Sequence, residues 1–224
     1  MKKGAIIGLI VLGVVLILVF MMVGGYNRLV RLSQGVDQSW AQVQNVYQRR
    51  ADLIPNLVAS VKGAADFEKE TLTRVTEARA SVGQVKIDPN KAPDDAAKLA
   101  EYERAQGALS SALSRLLVVV ERYPDLKSNT NFLNLQAQLE GTENRISVER
   151  GRFNEQVQAY NTAARSFPTV LMAGIFGFAP KPYFTAAPEA QTAPKVEFDF
   201  SGKSSEPAAP AAPAAPAATA PAAP

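Results

Sequence analysis

Residues Ala5 to Val23 read AIIGLIVLGVVLILVFMMV, nineteen positions without a charge and rich in Ile, Val and Leu. At about 1.5 Å per residue such a helix spans roughly 28 Å, close to the ~30 Å hydrocarbon core of a bilayer. The run exceeds the roughly 7–15 residues of a signal-peptide core, although Val23 and Gly25 leave a cleaved signal open as the rival reading. No face of it is polar, which argues against a core helix of a soluble domain. The sequence therefore predicts a cytoplasmic stub and single-pass transmembrane helix over residues 1–25. Lys2, Lys3 and the terminal amine precede the span, and Arg28 and Arg31 follow it. By the positive-inside rule this leans towards a cytoplasmic N-terminus, with the rest of the chain outside the cytoplasm.

After Gly24-Gly25 the pattern turns amphipathic. Leu29, Leu32, Val36, Trp40, Val43, Val46 and Leu53 recur at steps of three and four, with Arg50 in one inward slot. Leu57, Val61, Ala64, Val75, Ala78 and Val82 continue beyond Pro55, and Glu68 and Thr71 weaken the middle of that stripe. Two cleaner stripes run from Leu99 to Tyr123 and from Phe132 to Ala164. Such stripes let a helix bury one face against other helices, and a period near 3.5 favours coiled-coil-like packing. Pro55, Pro124 and Pro168 are expected to stop helices or kink them. The polar run GQVKIDPNKAP interrupts the pattern, and Asp94 can cap the helix that follows it. Helices are thus predicted at about 26–53, 55–82, 94–122 and 129–166, with one kinked helix through Pro55 as the alternative. The expected fold class is all-α: an elongated antiparallel (up-and-down) four-helix bundle over 26–167 behind the transmembrane helix. Residues 168–200 form an apolar, irregular extension of the bundle, and 201–224 a disordered Pro/Ala-rich tail.

Composition removes most chemistry. There is no Cys and no His, which excludes disulfides, thiolate zinc, iron–sulfur clusters, imidazole ligands and the commonest general base. A carboxylate-only magnesium or calcium site stays open. Setting aside Lys2 and Lys3, 22 cations face 21 anions, so there is no basic face for nucleic acid. The pairs Glu140 with Glu143 and Asp66 with Glu70 share helix faces but read as solvated. No catalytic residue, metal ligand or cofactor is expected, and the chain is read as a non-enzyme.

Up-and-down topology makes two regions candidates for contact. The proline turns would meet at the far end, bringing Arg49, Arg50, Asp52 and Asn56 near Tyr123, Asp125, Lys127 and Asn129, as a partner-binding cluster or as plain turn chemistry. The chain after Phe167 would return to the bilayer. There Leu171, Met172, Ile175, Phe176 and Phe178 either dip into the membrane interface, with Lys181 and Tyr183 at headgroup level, or cap the open end of the core.

The runs YNRLVRLSQGVDQSW, QRRADLIPNLVASVKG, TEARA, LSRLLVVVERYPDLKSNTNFLNLQAQLEGTENRI, YNTAARSFPTVLMAGIFGF and APKVEF resemble the LemA family of bacterial membrane proteins, in order, from about Tyr26 to Phe198. Phe67 stands where the family often carries His, and GQVKIDPNKAP and the tail depart from its pattern. The resemblance implies a helical bundle behind an N-terminal transmembrane helix in the bacterial inner or plasma membrane. It supplies no settled activity, and it implies a short N-terminus outside the cell, against the charge-based reading. The leading expectation is a non-catalytic scaffold or adaptor of the cell envelope with unidentified protein partners, homo-oligomers included. The alternative is a lipid-organising or membrane-remodelling protein acting through the transmembrane helix and the 168–184 segment. The bilayer is a partner under both; nucleic acid is not.

Overall fold

The computed structural model describes residues 3–63 and 68–185. Lys2, Ala64, Asp66, Phe67, residues 186–200 and the Pro/Ala-rich run 201–224, which carried expectations above, lie outside the described residues. Every regular element among those described is a helix: α1 Lys3–Lys62, α2 Lys69–Gln84, α3 Ala96–Val120, α4 Pro124–Lys127, α5 Thr130–Arg165 and α6 Thr169–Phe176. The second half of α1 runs beside α5, and α2 runs beside α3, giving the antiparallel four-helix bundle that the stripes predict.

The 60 residues of α1 reach about 90 Å at the usual helical rise. Its first part is long and apolar enough to cross a membrane, and its large side chains there are exposed on every side, Phe20 at 82%. From Leu29 onward only one stripe is buried. Trp40, Val43, Tyr47, Arg50, Ile54, Leu57 and Val61 fill it at alternating steps of three and four. Tyr47 and Ile54 hold the slots assigned above to Val46 and Leu53, which are half-buried instead. The predicted break at Pro55 does not occur. The helix continues to Lys62, because Ile54, Leu57 and Val61 beside the proline are almost wholly buried and their packing outweighs one lost hydrogen bond. The second bundle helix accordingly starts at Lys69, not at residue 55.

A small cluster of Leu29, Ala163, Ala164, Met172 and Ala173 lies where α1 leaves the apolar run, and two larger apolar clusters make up the rest of the core. One is aromatic and nearer the anchor, with Trp40, Tyr47, Tyr102, Phe153, Tyr160 and Phe184 at its centre. The other is largely aliphatic and distal, with Ile54, Leu57, Leu109, Leu116, Phe132 and Leu139 among its members. Helix ends follow capping chemistry. Asn129 accepts from the amides of Asn131 and Phe132 at 2.9 and 3.2 Å. At α3 the cap is Asp95, which accepts from Ala97 N at 2.8 Å, not its neighbour Asp94. The loop before α3 folds back on α1: Trp40 Nε1 donates to Asp88 O at 2.9 Å, and Ala92 N donates to Asp37 Oδ1 at 3.0 Å.

Candidate functional site

The eight polar residues expected at the far end are not brought together. Because α1 runs through Pro55, Arg49, Arg50, Asp52 and Asn56 stay on its shaft, and Lys62 lies about 18 Å beyond Arg50 along the axis. The far end is formed by Glu68 at the start of α2 and by the turn around α4. There Arg122 Nη2 meets Glu68 Oε1 at 2.6 Å and Lys127 pairs with Glu121. The Arg122 hydrogen bond, aided by one from Thr71, holds the Glu68 carboxyl below its ordinary range. Tyr123, Asp125, Lys127 and Asn129 do cluster at this turn, with Asn129 engaged as the cap of α5.

Arg50 is instead the centre of a polar layer between the two larger apolar clusters. Its Nη1 donates to Ser110 Oγ and Glu143 Oε2, both at 2.8 Å, and its Nη2 donates to Gln106 Oε1. Its guanidinium also lies 5.2 Å from the centroid of the Tyr47 ring. Beside it Tyr102 Oη donates to Gln44 Oε1 at 3.0 Å. Burial pushes the Tyr47 phenol up to about 12, against the pull of Arg150 and Arg50. Burial likewise raises Tyr102. The layer spans α1, α3 and α5 and fixes their register, since a slip by one turn would strand a buried charge.

The other end carries the second candidate region. Helix α6 packs against α1 just past the nineteen-residue apolar run, so closely that a Cβ on Gly25 would sit 3.7 Å from Met172 Cγ and Thr169 Cγ2. Tyr26 meets the rings of Phe176 and Phe178 edge-on, with centroids at 5.0 and 5.6 Å. Met172 is buried against Leu29, Ala163 and Ala164, with Phe178 half-buried on the same cluster. Leu171, Ile175 and Phe176 remain outside, at 58%, 70% and 51% exposure, as does Phe167. The segment thus caps the open end of the core with one face and leaves an apolar face uncovered with the other.

Gly177 ends α6 in the left-handed region at φ 73°, where an L side chain is strained, and the chain then turns back along the bundle. Residues 178–185 form a strap held by two asparagines of α5. Asn161 Nδ2 donates to Lys181 O while its Oδ1 accepts from Lys181 N, at 2.9 and 2.8 Å. Asn154 makes the same pair with Phe184, at 3.0 and 2.9 Å. Seven helical residues and three extended ones both cover about 10 Å, so the two clamps match in spacing. Lys181, expected at headgroup level, is buried. Its Nζ lies 3.2 Å from Asp94 Oδ1 and 3.5 Å from Asp37 Oδ1. Burial raises the Asp94 carboxyl, but hydrogen bonds from Lys91 and Lys181 outweigh it and leave the group below its ordinary range. Tyr183 is exposed, but it adjoins Phe184, which stacks on Trp40, roughly 22 Å along α1 from Gly25 and not beside the apolar run.

The carboxylates are engaged in structure. Glu143 pairs with Arg50, Glu140 accepts from Gln136 and Glu70 pairs with Arg74. Among the described residues no group of three or more Asp and Glu is placed to hold a metal ion. The strap's partners were missed in the sequence because isolated Asn154, Asn161 and Asp37 carry no periodic signal. The one available hint was a lysine inside an otherwise apolar segment.

Residues 39–198, from the start of the aromatic cluster through α6 and the strap, match the LemA family. The chain is 27% identical to magnetosome protein MamQ of Magnetospirillum gryphiswaldense over 182 residues, 75% of this chain and 67% of that protein. It is 24% identical to magnetosome protein MamQ 2 of Paramagnetospirillum magneticum over 211 residues, 85% and 76% of the two chains. It is also 24% identical to protein LemA of Metamycoplasma hominis over 150 residues, 67% and 64% of the two.

Proposed function

The chain belongs to the LemA family, and on that premise we propose that it is a membrane-anchored, non-catalytic scaffold or adaptor of the bacterial cell envelope. The observation that carries this reading is the single 60-residue helix that runs from the apolar segment into the bundle without a break. A continuous helix transmits position and torque from bilayer to bundle, whereas a flexible linker would leave the bundle free to tumble. The bundle is then a stiff post presenting its outer helix faces at a fixed distance from the membrane, to protein partners or to a second copy of the chain. We place its anchor in the inner or plasma membrane, with the N-terminus cytoplasmic and the bundle outside.

Photo-crosslinkers at exposed Val118, Leu133 and Val148, in cells, test the scaffold reading. Discrete protein adducts are expected, and their absence at all three positions would sink it. The chain has no native cysteine, so Ala59→Cys, on an exposed position of α1, reports orientation through an impermeant maleimide. Labelling of intact cells is expected, and labelling only after lysis would reverse the topology. The uncovered apolar face of α6 favours a second reading, lipid contact by this segment, for which lipid adducts at Ile175 are the signature.

A further inference from the structure

We propose that the anchor-proximal end of the bundle is a foot that sits in the headgroup layer of an anionic bilayer, with α6 as its apolar sole and three arginines as its rim. This rests on the reading of α6 as a lipid contact and adds to it a lipid charge and a set of residues.

Position comes first. Helices α2 and α3 do not reach the anchor: the loop joining them is tied to α1 at Asp37 and Trp40, about 18 Å and more along the helix from Gly25. Below that level, among the described residues, stand α1, α5, α6 and the start of the strap, whose Phe178 ring meets Tyr26. Helix α6 is fastened to Gly25 and Tyr26, two and three residues past Val23 at the end of the apolar run. A helix placed there is within a turn of the point where α1 would leave the hydrocarbon. Its Leu171, Ile175 and Phe176, each half or more exposed, with Phe167 just before it, therefore lie beside the end of the apolar run, and interfacial burial removes them from water.

Charge comes second. Over residues 24–36 and 156–180, the segments that build this end, the sequence holds three charged side chains, Arg28, Arg31 and Arg165, and no Asp or Glu. All three are exposed, and none forms an ion pair among the described residues. Elsewhere the chain is close to neutral, so this is a local basic rim around an apolar sole. That combination fits anionic phosphodiester headgroups, each arginine offering a planar fork to phosphate oxygens. Lys181, the next cation along the chain, is held by Asp37 and Asp94 and takes no part.

The test uses the full chain with one cysteine, at Leu171, Ile175 or Tyr183, carrying an environment-sensitive fluorophore. The protein is reconstituted in phosphatidylcholine alone or with phosphatidylglycerol, and nitroxides on the lipid headgroups serve as quenchers. Quenching is expected at Leu171 and Ile175 but not at Tyr183. The quenched-to-unquenched ratio should rise about fivefold for each arginine engaged when phosphatidylglycerol is present. Arg28→Gln, Arg31→Gln and Arg165→Gln together should abolish that rise, while unchanged Trp40 emission confirms the fold. No quenching on α6 in either lipid overturns lipid contact itself. Equal quenching in both lipids leaves contact standing and overturns the anionic preference. A preference that survives the arginine substitutions overturns the rim.

Discussion

Arg79 Nε on α2 donates a hydrogen bond at 3.0 Å to the carbonyl oxygen of Ala51 on α1. Ala51 lies four residues before Pro55, so its carbonyl is the one whose helical donor the proline ring removes. Helix α2 thus supplies from outside the bond that α1 cannot make within itself. Arg79→Met should lower stability by about 1 kcal/mol. In a Pro55→Ala background, where the amide of residue 55 returns, the same substitution should cost a few tenths at most. A double-mutant cycle on urea midpoints of the detergent-solubilised chain measures the difference. Equal losses in both backgrounds would show that the carbonyl is indifferent to its partner.

That exchange also explains which parts of the fold were legible. The stripes of α3 and α5 predicted their bounds closely, because each helix meets one environment along its length and is bracketed by capping residues and prolines. Pro55 misled, since its effect depends on a donor from another helix and on packing at Ile54 and Leu57, neither of which is local. The stripe puts Arg50 in an inward slot, but a helix that ends at Leu53 also puts it beside a turn. The 168–184 segment, read from the sequence as either dipping into the interface or capping the core, divides for a similar reason. Residues up to Phe178 and the strap beyond it go in opposite directions, and the reversal rests on the left-handed Gly177 and on two asparagines of α5.

The Arg50 layer predicts an unequal response to removing its two charges. The Arg50 side chain is 2% exposed and that of Glu143 51%. Arg50→Ala leaves Gln106 and Ser110 without their donor and opens space in the core, for a loss of about 3–5 kcal/mol. Glu143→Gln removes a water-screened partner and keeps the other two acceptors, so about 1 kcal/mol or less is expected. Equilibrium unfolding in urea orders the two, and a larger loss for Glu143→Gln would contradict the assignment of Arg50 as the buried member.

Alkaline pH should unlock the same layer. Burial raises the Tyr47 phenol to about 12, against about 10 in an unfolded chain. A raised folded value means that the folded state keeps its proton longer. The associated stability is complete below about pH 10 and is lost as pH climbs towards 12. Tyrosinate absorbance should therefore lag at Tyr47 until the bundle opens. Tyr47→Phe should flatten the fall in urea midpoint over that interval. A fall just as steep in Tyr47→Phe would assign it to other groups.

The strap gives the chain an internal reporter, because Trp40 is its one tryptophan and lies fully buried with Phe184 stacked 5.9 Å away. Asn154 holds the Phe184 backbone by both its amide and its carbonyl, and the Arg150 guanidinium covers the outer side of that ring, 4.6 Å from its centroid. Phe184→Ala removes the cover from the indole and should shift Trp40 emission to the red, with a loss of about 3 kcal/mol for an aromatic taken from a core. Asn154→Leu keeps the ring but takes away both backbone partners. It should produce a smaller red shift and a marked gain in hydrogen exchange at the amide of residue 184, while the Asn161 clamp still holds residue 181. If Trp40 emission stays unchanged in Phe184→Ala, the indole is shielded by the helices alone, and the strap lies on the core without sealing it.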